Sequence, residues 1–249
     1  SNNYCFFLKN FFIKNINYFL QSLVVLSSVL LSFYIDDIRT NNENSNYKNE
    51  LVVDLQSIID SELEQIKNIK NLQLSCLKAA EELIFDITES ELGIKLNDKQ
   101  IAAKILLLTE RGSVSFFNQS SLYDELINTG STRLIKSDNF RYALSNTYNN
   151  LNQRNIAVSR LIDDYFFNAI ARINKHIIIV SKEQEKTEGI VYSDLVPTYF
   201  KINKDYYVSD EFLGDINQLK TLVERYIDML NKLDESYQLL RIYSDEELN

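Results

Sequence analysis

Residues 18–35 read YFLQSLVVLSSVLLSFYI and contain no charged side chain. Eighteen residues rise roughly 27 Å as a helix, enough with their flanks to cross a hydrocarbon core of about 30 Å. The polar residues inside the run are Gln21, Ser22, Ser27, Ser28 and Ser32. Serine hydroxyls can bond back to their own helix or meet polar groups on a neighbouring one. Tyr18 and Tyr34 stand where aromatic belts lie. A cleaved signal peptide is the rival reading, but no small-x-small site follows the apolar run. The stretch predicts a transmembrane helix over residues 16–36. Lys9 and Lys14 are the only charges before it, whereas Asp36 and Asp37 follow directly. By the positive-inside rule, residues 1–15 are an inner, cytoplasmic tail, Phe-rich and amphipathic, and residues 37–249 lie outside, in the periplasm.

Composition agrees with a helical body. The 249 residues include five Gly, one Pro and no Trp, and 45% are hydrophobic. So few turn formers cannot supply a sandwich, a barrel or a doubly wound sheet. The expected fold class is all-α: an N-terminal transmembrane helix followed by an elongated antiparallel helical bundle or coiled coil. The net charge of −9 argues against a nucleic-acid partner.

No Gly or Pro precedes Gly93, so one helix can run from about Ile16 to Phe85. Thr40–Asn46 (TNNENSN) has low helix propensity and predicts a kink or fraying. Beyond it Leu55, Ile59, Glu62, Ile66, Ile69, Gln73, Cys76, Ala80 and Leu83 alternate spacings of four and three, a heptad-like seam. The bundle's long helices are expected at about 47–88, 138–181 and 210–244, and short ones at about 98–110 and 121–129. Asn97, Ser120 or Ser121, Ser137 and Ser209 are the candidate N-caps, and Gly112 and Gly130 the stops. The helix after Ser137 carries Leu144, Tyr148, Leu151, Asn155, Val158, Ile162, Tyr165 and Ala169. The stripe then drifts onto Phe166, Ile170, Ile173, Ile177 and Val180. The last helix has the cleanest seam: Ile216, Leu219, Val223, Tyr226, Leu230, Leu233, Tyr237 and Leu240, the candidate interaction surface. Three long helices in up-down-up order, with the short helices at the far end, would leave the aromatic-rich segment 182–209 near the membrane and the C-terminus far from it.

Residues 122–148 read LYDELINTGSTRLIKSDNFRYALSNTY. This resembles a family of uncharacterised single-pass membrane proteins common in Bacteroidota (the DUF6090 type). Its members pair an N-terminal span with a "TYxEL…SG…LI.n..LR..L..YY" segment. Tyr123, Glu125, Leu126, Gly130, Leu134, Ile135, Arg141, Leu144 and Tyr148 match it. The departures are a span without Gly and an exit that reads YIDDIRT. The resemblance implies membrane topology and fold, and carries no activity. The residues themselves make a helical corner: Gly130 ends one helix with a positive φ, Ser137 starts the next, and Leu126, Ile127, Leu134 and Ile135 fold inward. A DNA-reading helix-turn-helix would need a basic recognition face that this segment lacks.

Catalytic signals are sparse. His176 has no ligand partner at helical spacing, and no phosphate loop or nucleophile elbow occurs. Cys5 and Cys76 fall on opposite sides of the span and cannot pair within one chain. Cys76 belongs to the apolar seam, as a small hydrophobe. Asp36/Asp37, Glu81/Glu82, Asp163/Asp164 and Glu246/Glu247 diverge by about 100° on a helix and read as solvated faces. No cofactor or metal is expected, and no enzyme activity. The functional expectation is a structural, accessory or scaffolding membrane subunit that contacts lipid and other protein chains, as a homo-oligomer or within a larger complex. The alternative is an extracytoplasmic sensory bundle that binds a ligand and signals through a separate partner.

Overall fold

The computed structural model describes residues 2–89, 95–183 and 195–248, with side chains from residue 18 onward. The side chains of the N-terminal tail, Cys5, Gly93, Gly189 and Tyr192 lie outside the described residues. The molecule is mostly helical, and its longest element is one uninterrupted helix, α1, spanning Asn2–Thr88.

The chain then alternates direction along α1. Helix α2 (Asp98–Arg111) and helix α3 (Ser121–Asn128) come first. A 3-10 turn at Ser131–Leu134 follows. Helix α4 (Asp138–Ser145) passes through a π-helical turn at Asn146–Leu151 into α5 (Asn152–Ile173). Strands β1 (Ile177–Glu183) and β2 (Leu195–Ile202) pair antiparallel, and the short α6 (Lys204–Tyr207) leads into α7 (Asp210–Leu248).

Cross-contacts settle the order. Between α1 and the descending arm they are Asp86 with Leu96, Cys76 with Leu107, Gln73 with Arg111, Glu62 with Gln119 and Tyr47 with Glu125. Against α7 they are Lys48 with Glu247, Gln56 with Ser244 and Asp60 with Arg241. The ascending helix meets α7 through Thr147 with Ser236 and Arg172 with Asp215. The bundle is therefore up-down-up-down, roughly 57 Å long between Lys48 and Asp86 at 1.5 Å per residue.

This corrects the three-helix expectation. The two short helices and the extended link between them make up the return arm. As a result α7 descends. The C-terminus sits at the end of the bundle nearest the apolar segment, and residues 195–209 sit at the far end.

Three local expectations also change. Thr40–Asn46 stays helical without a break. Its low propensity costs a few tenths of a kcal/mol per residue, while a break would create two helix ends with orphaned backbone groups. The Arg39–Glu43 pair bridges this stretch, and Tyr47 and Lys48 anchor the residues after it.

The helix after Ser137 ends at Ile173, not Ser181. Ile177–Val180 is a run of β-branched side chains, which suits a pleated strand better than a helix. Ile177 pairs with Ile202 and Val180 with Tyr199, and the register slips between Val180 and Ser181. That irregularity accommodates Pro197, which has no N–H to donate.

Gly112 ends α2 with an ordinary right-handed φ of −67°. It is needed for close approach instead, since a Cβ there would collide with the Phe166 ring.

Capping is mostly as the residue types dictate. Asn97 and Gln100 form a reciprocal capping box. Ser137 Oγ accepts from Phe140 N–H, and Ser209 Oγ from Phe212 N–H. Ser120 flanks α3 without capping it, because its hydroxyl donates to Asp124.

Candidate functional site: a buried carboxyl at the crossing of three helices

Glu62 stands on the α1 seam and is 1% exposed. The link 112–120 presents the Gln119 backbone N–H, which donates to its Oε1. The Tyr148 hydroxyl, from the π-helical turn, donates to Oε2 at 3.3 Å. Tyr237 of α7 stands beside the carboxyl and stabilises its charged form, while its oxygen accepts from Asn152 Nδ2 at 3.1 Å. No cation is among these partners. Burial pushes Glu62 up to about 7, although these three groups oppose the rise. Burial likewise holds the Tyr148 and Tyr237 hydroxyls protonated well above their ordinary range.

Aromatic rings wall the carboxyl. Tyr148 stacks on Tyr123 with centroids 4.8 Å apart, and Tyr237 meets Tyr148 and Phe116 edge-on at 6.0 and 5.9 Å. Below and above, polar pairs continue the column. Thr147 and Ser236 share a hydrogen bond of 2.5 Å. Both backbone groups of Phe116 are met by side chains: its N–H donates to Tyr226 at 2.6 Å, and its carbonyl accepts from Asn155 at 2.8 Å. Tyr226 itself is raised to about 12 by burial.

The π-helical turn makes the column possible. One wide turn shifts the helix face, so that Asn152, Ser159 and Phe166 point inward with Asn155 and Ile162. The expected stripe had Leu151, Val158 and Tyr165 there instead, and these are only half-buried. Apolar periodicity favoured Leu151 and Val158. The two asparagines that replace them inward are met at their Nδ2 groups, Asn152 by the Tyr237 oxygen and Asn155 by the Phe116 carbonyl. The wide turn has no composition signal of its own.

All eight candidate interaction residues of α7 are buried within this chain: Ile216, Leu219, Val223, Leu230, Leu233, Tyr237 and Leu240 at 0% and Tyr226 at 1%. The seam is intramolecular core, covered by α1 and the ascending helix, and a partner must use another face.

The motif of the middle segment converges on the same site. Tyr123 and Tyr148 stack, Leu126 and Leu144 are buried, and Glu125 accepts from Tyr47 at 2.7 Å. Gly130 has φ +72° and no atom within reach of an added Cβ. Arg141 donates to the Ile135 carbonyl and to Asp138. Ile135 is buried, but Leu134 is 37% and Ile127 49% exposed, so only half of the expected corner folds inward.

Other candidates resolve simply. The His176 ring stacks on Tyr206 at 4.2 Å. Cys76 is fully buried and its thiol is pushed up to about 12. Glu247 is no solvated carboxylate. Its side chain is 1% exposed, pairs with Lys48 at 2.7 Å, and accepts from the Lys136 and Ser137 N–H groups.

The rest of α1 is the opposite case. Leu20, Leu23, Val24, Val25, Leu26 and Leu30 are half-exposed or more, and nothing in the bundle covers them. The helix is long and apolar enough here to cross a membrane. Ser22, Ser28 and Ser32 donate to the carbonyls four residues earlier, which satisfies their hydroxyls within the helix. Comparisons with protein-family models, with curated proteins and with solved structures find no match.

Proposed function

We propose that this chain is a single-pass protein of the inner, cytoplasmic membrane, spanning it at residues 16–36 with the N-terminus cytoplasmic and the bundle periplasmic. The bundle is an accessory or scaffolding subunit that binds other proteins, either as a homo-oligomer or within a larger complex. The reading includes membership of the DUF6090-like family and excludes nucleic acid as a partner. One observation carries it: a single helix is apolar and uncovered over Tyr18–Ile35, and covered from Leu51 to Leu83. An apolar stretch of that size is far larger than soluble proteins leave exposed. The enclosure of Glu62 supports a binding role over a catalytic one, since the Gln119 N–H and the Tyr148 hydroxyl already occupy its carboxyl within the fold.

The sensory alternative draws on the same column. Asn152 and Asn155 each keep a buried amide oxygen without a protein partner among the described residues. Two measurements test the reading. A cysteine placed at exposed Gln153, with Cys5 and Cys76 replaced, should react with a membrane-impermeant label in intact cells; labelling only after lysis overturns the orientation. Detergent purification with mass spectrometry should return co-eluting chains or a homo-oligomer. A lone monomer carrying a bound small molecule favours the sensor.

A further inference from the structure

Between α5 and α7 lies a groove of about 570 Å³. Val158, Leu161, Leu222 and Met229 form its apolar floor, and Leu161 is 56% exposed. It runs along about three turns of each helix, from Leu151 to Ile162 and from Leu222 to Lys232. On α7 the groove residues Leu222, Arg225, Met229 and Lys232 recur at spacings of three and four, a second stripe beside the buried seam.

The rim is basic in an acidic protein. Arg154, Arg225 and Lys232 stand against one carboxylate, Asp228, while the chain carries a net −9. Some cations elsewhere hold carboxylate partners, as Arg172 holds Asp215 and Arg241 holds Asp60. Here Arg225 and Lys232 have none among the described residues, and Arg154 holds only the amide oxygen of Asn150.

We infer that this groove docks an amphipathic helix of another protein, with apolar residues on one face and Asp or Glu along its flanks. The inference rests on the accessory-subunit reading and names the kind of partner. Parallel groove walls, apolar floor and charged rim suit helix-in-groove recognition, with anchors at i, i+3 or i+4, and i+7. The unpaired cations select acidic flanks and repel basic ones. A second copy docking face to face about a two-fold axis would set the basic rim of one copy against the basic rim of the other, which disfavours it. A lipid surface is too distant. Glu62, level with the groove's lower end, stands roughly 40 Å along α1 from Ile35, several times the screening length of about 8 Å.

The test places the photo-reactive benzophenone side chain of p-benzoylphenylalanine at Leu161 in the full chain, in its own membrane. Irradiation should give an adduct to a second protein whose linked peptide is apolar at helical spacing and acid-flanked. Arg225→Glu with Lys232→Glu should lower its yield roughly tenfold or more, with the bundle's melting midpoint unchanged. Arg225→Lys with Lys232→Arg should restore it. Arg154→Glu, on the other helix, repeats the test should the double variant misfold. An adduct to lipid, to a second copy or to a basic segment overturns the inference, as does a yield indifferent to charge reversal. Co-eluting proteins without any adduct at Leu161 would leave the accessory reading standing and remove the groove; neither co-elution nor adduct would remove both.

Discussion

Leu26 and Leu230 are the same residue in the same kind of helix, yet one is 60% exposed and the other 0%. Their surroundings in sequence differ. Around Leu26 apolar residues occupy every helix face, and the polar interruptions are Gln21 and serines, of which Ser22, Ser28 and Ser32 bond back to the helix. Around Leu230 the apolar residues form one stripe, with Asp228, Asn231, Lys232 and Asp234 on the other faces. A helix apolar all round has no preferred protein neighbour and suits a solvent that is itself apolar. A striped helix must turn one face to other helices and the rest to water. Both patterns occur along the single helix α1, on either side of Thr40–Asn46, so one unbroken helix carries an uncovered apolar part and a covered striped part.

The same substitution in the two places should separate them most strongly. Leu26→Asp with Leu30→Asp should weaken membrane partition by about 6 kcal/mol, releasing the chain on carbonate extraction while the bundle melts as before. Leu230→Asp with Leu233→Asp should do the reverse. Membrane association persists, but two buried leucines lost to charges cost at least about 5 kcal/mol, comparable to the whole stability of a domain. If both pairs gave the same phenotype, the division of α1 and α7 into lipid-facing and core-facing helix would fail.

A smaller effect distinguishes two carboxyls within the bundle. Glu62 is raised from 4.5 to about 7, so the folded protein holds its proton more tightly than the unfolded chain. Below the unfolded value both states are protonated and nothing is lost. As pH climbs from about 4.5 to about 7 stability falls, by up to about 3 kcal/mol. Glu62→Gln should remove that fall. Its unfolding free energy relative to wild type, measured by chemical denaturation, should therefore rise between pH 5 and pH 8; a difference independent of pH contradicts the buried-carboxyl assignment. Glu247 works with the opposite sign. Lys48 and the N–H groups of Lys136 and Ser137 hold it below its ordinary value, against the effect of burial. Its contribution is present at neutral pH and is lost as pH falls.

The smallest effect is at Gly130. Its φ of +72° lies in open space, so an added side chain meets only backbone strain. Gly130→Ala should cost on the order of 1 kcal/mol, which moves the melting midpoint by a few degrees. Gly130→Val should cost more and Gly130→Asn less. A valine variant melting no lower than the asparagine one would show that the left-handed turn is not what requires glycine.

Local chemistry determined much of this protein from sequence alone. The uncharged run at 18–35, the alternating seams of α1 and α7, the Asn97, Ser137 and Ser209 caps and the left-handed Gly130 all follow from short-range rules of charge, period and φ. Tertiary structure decided what those rules cannot reach. The direction of α7 depends on whether two short helices and a link can return the length of α1, a sum over the chain that no single window contains. The strand at Ile177–Val180 depends on a partner beyond the next segment. The π-helical turn, and with it the burial of Asn152, depends on a tyrosine 85 residues away accepting from its amide. Glu62 sat in the apolar seam of α1 as an unexplained acid. Only the packing of Tyr148 and the Gln119 N–H around it supplies the hydrogen bonds that let a carboxyl be buried there.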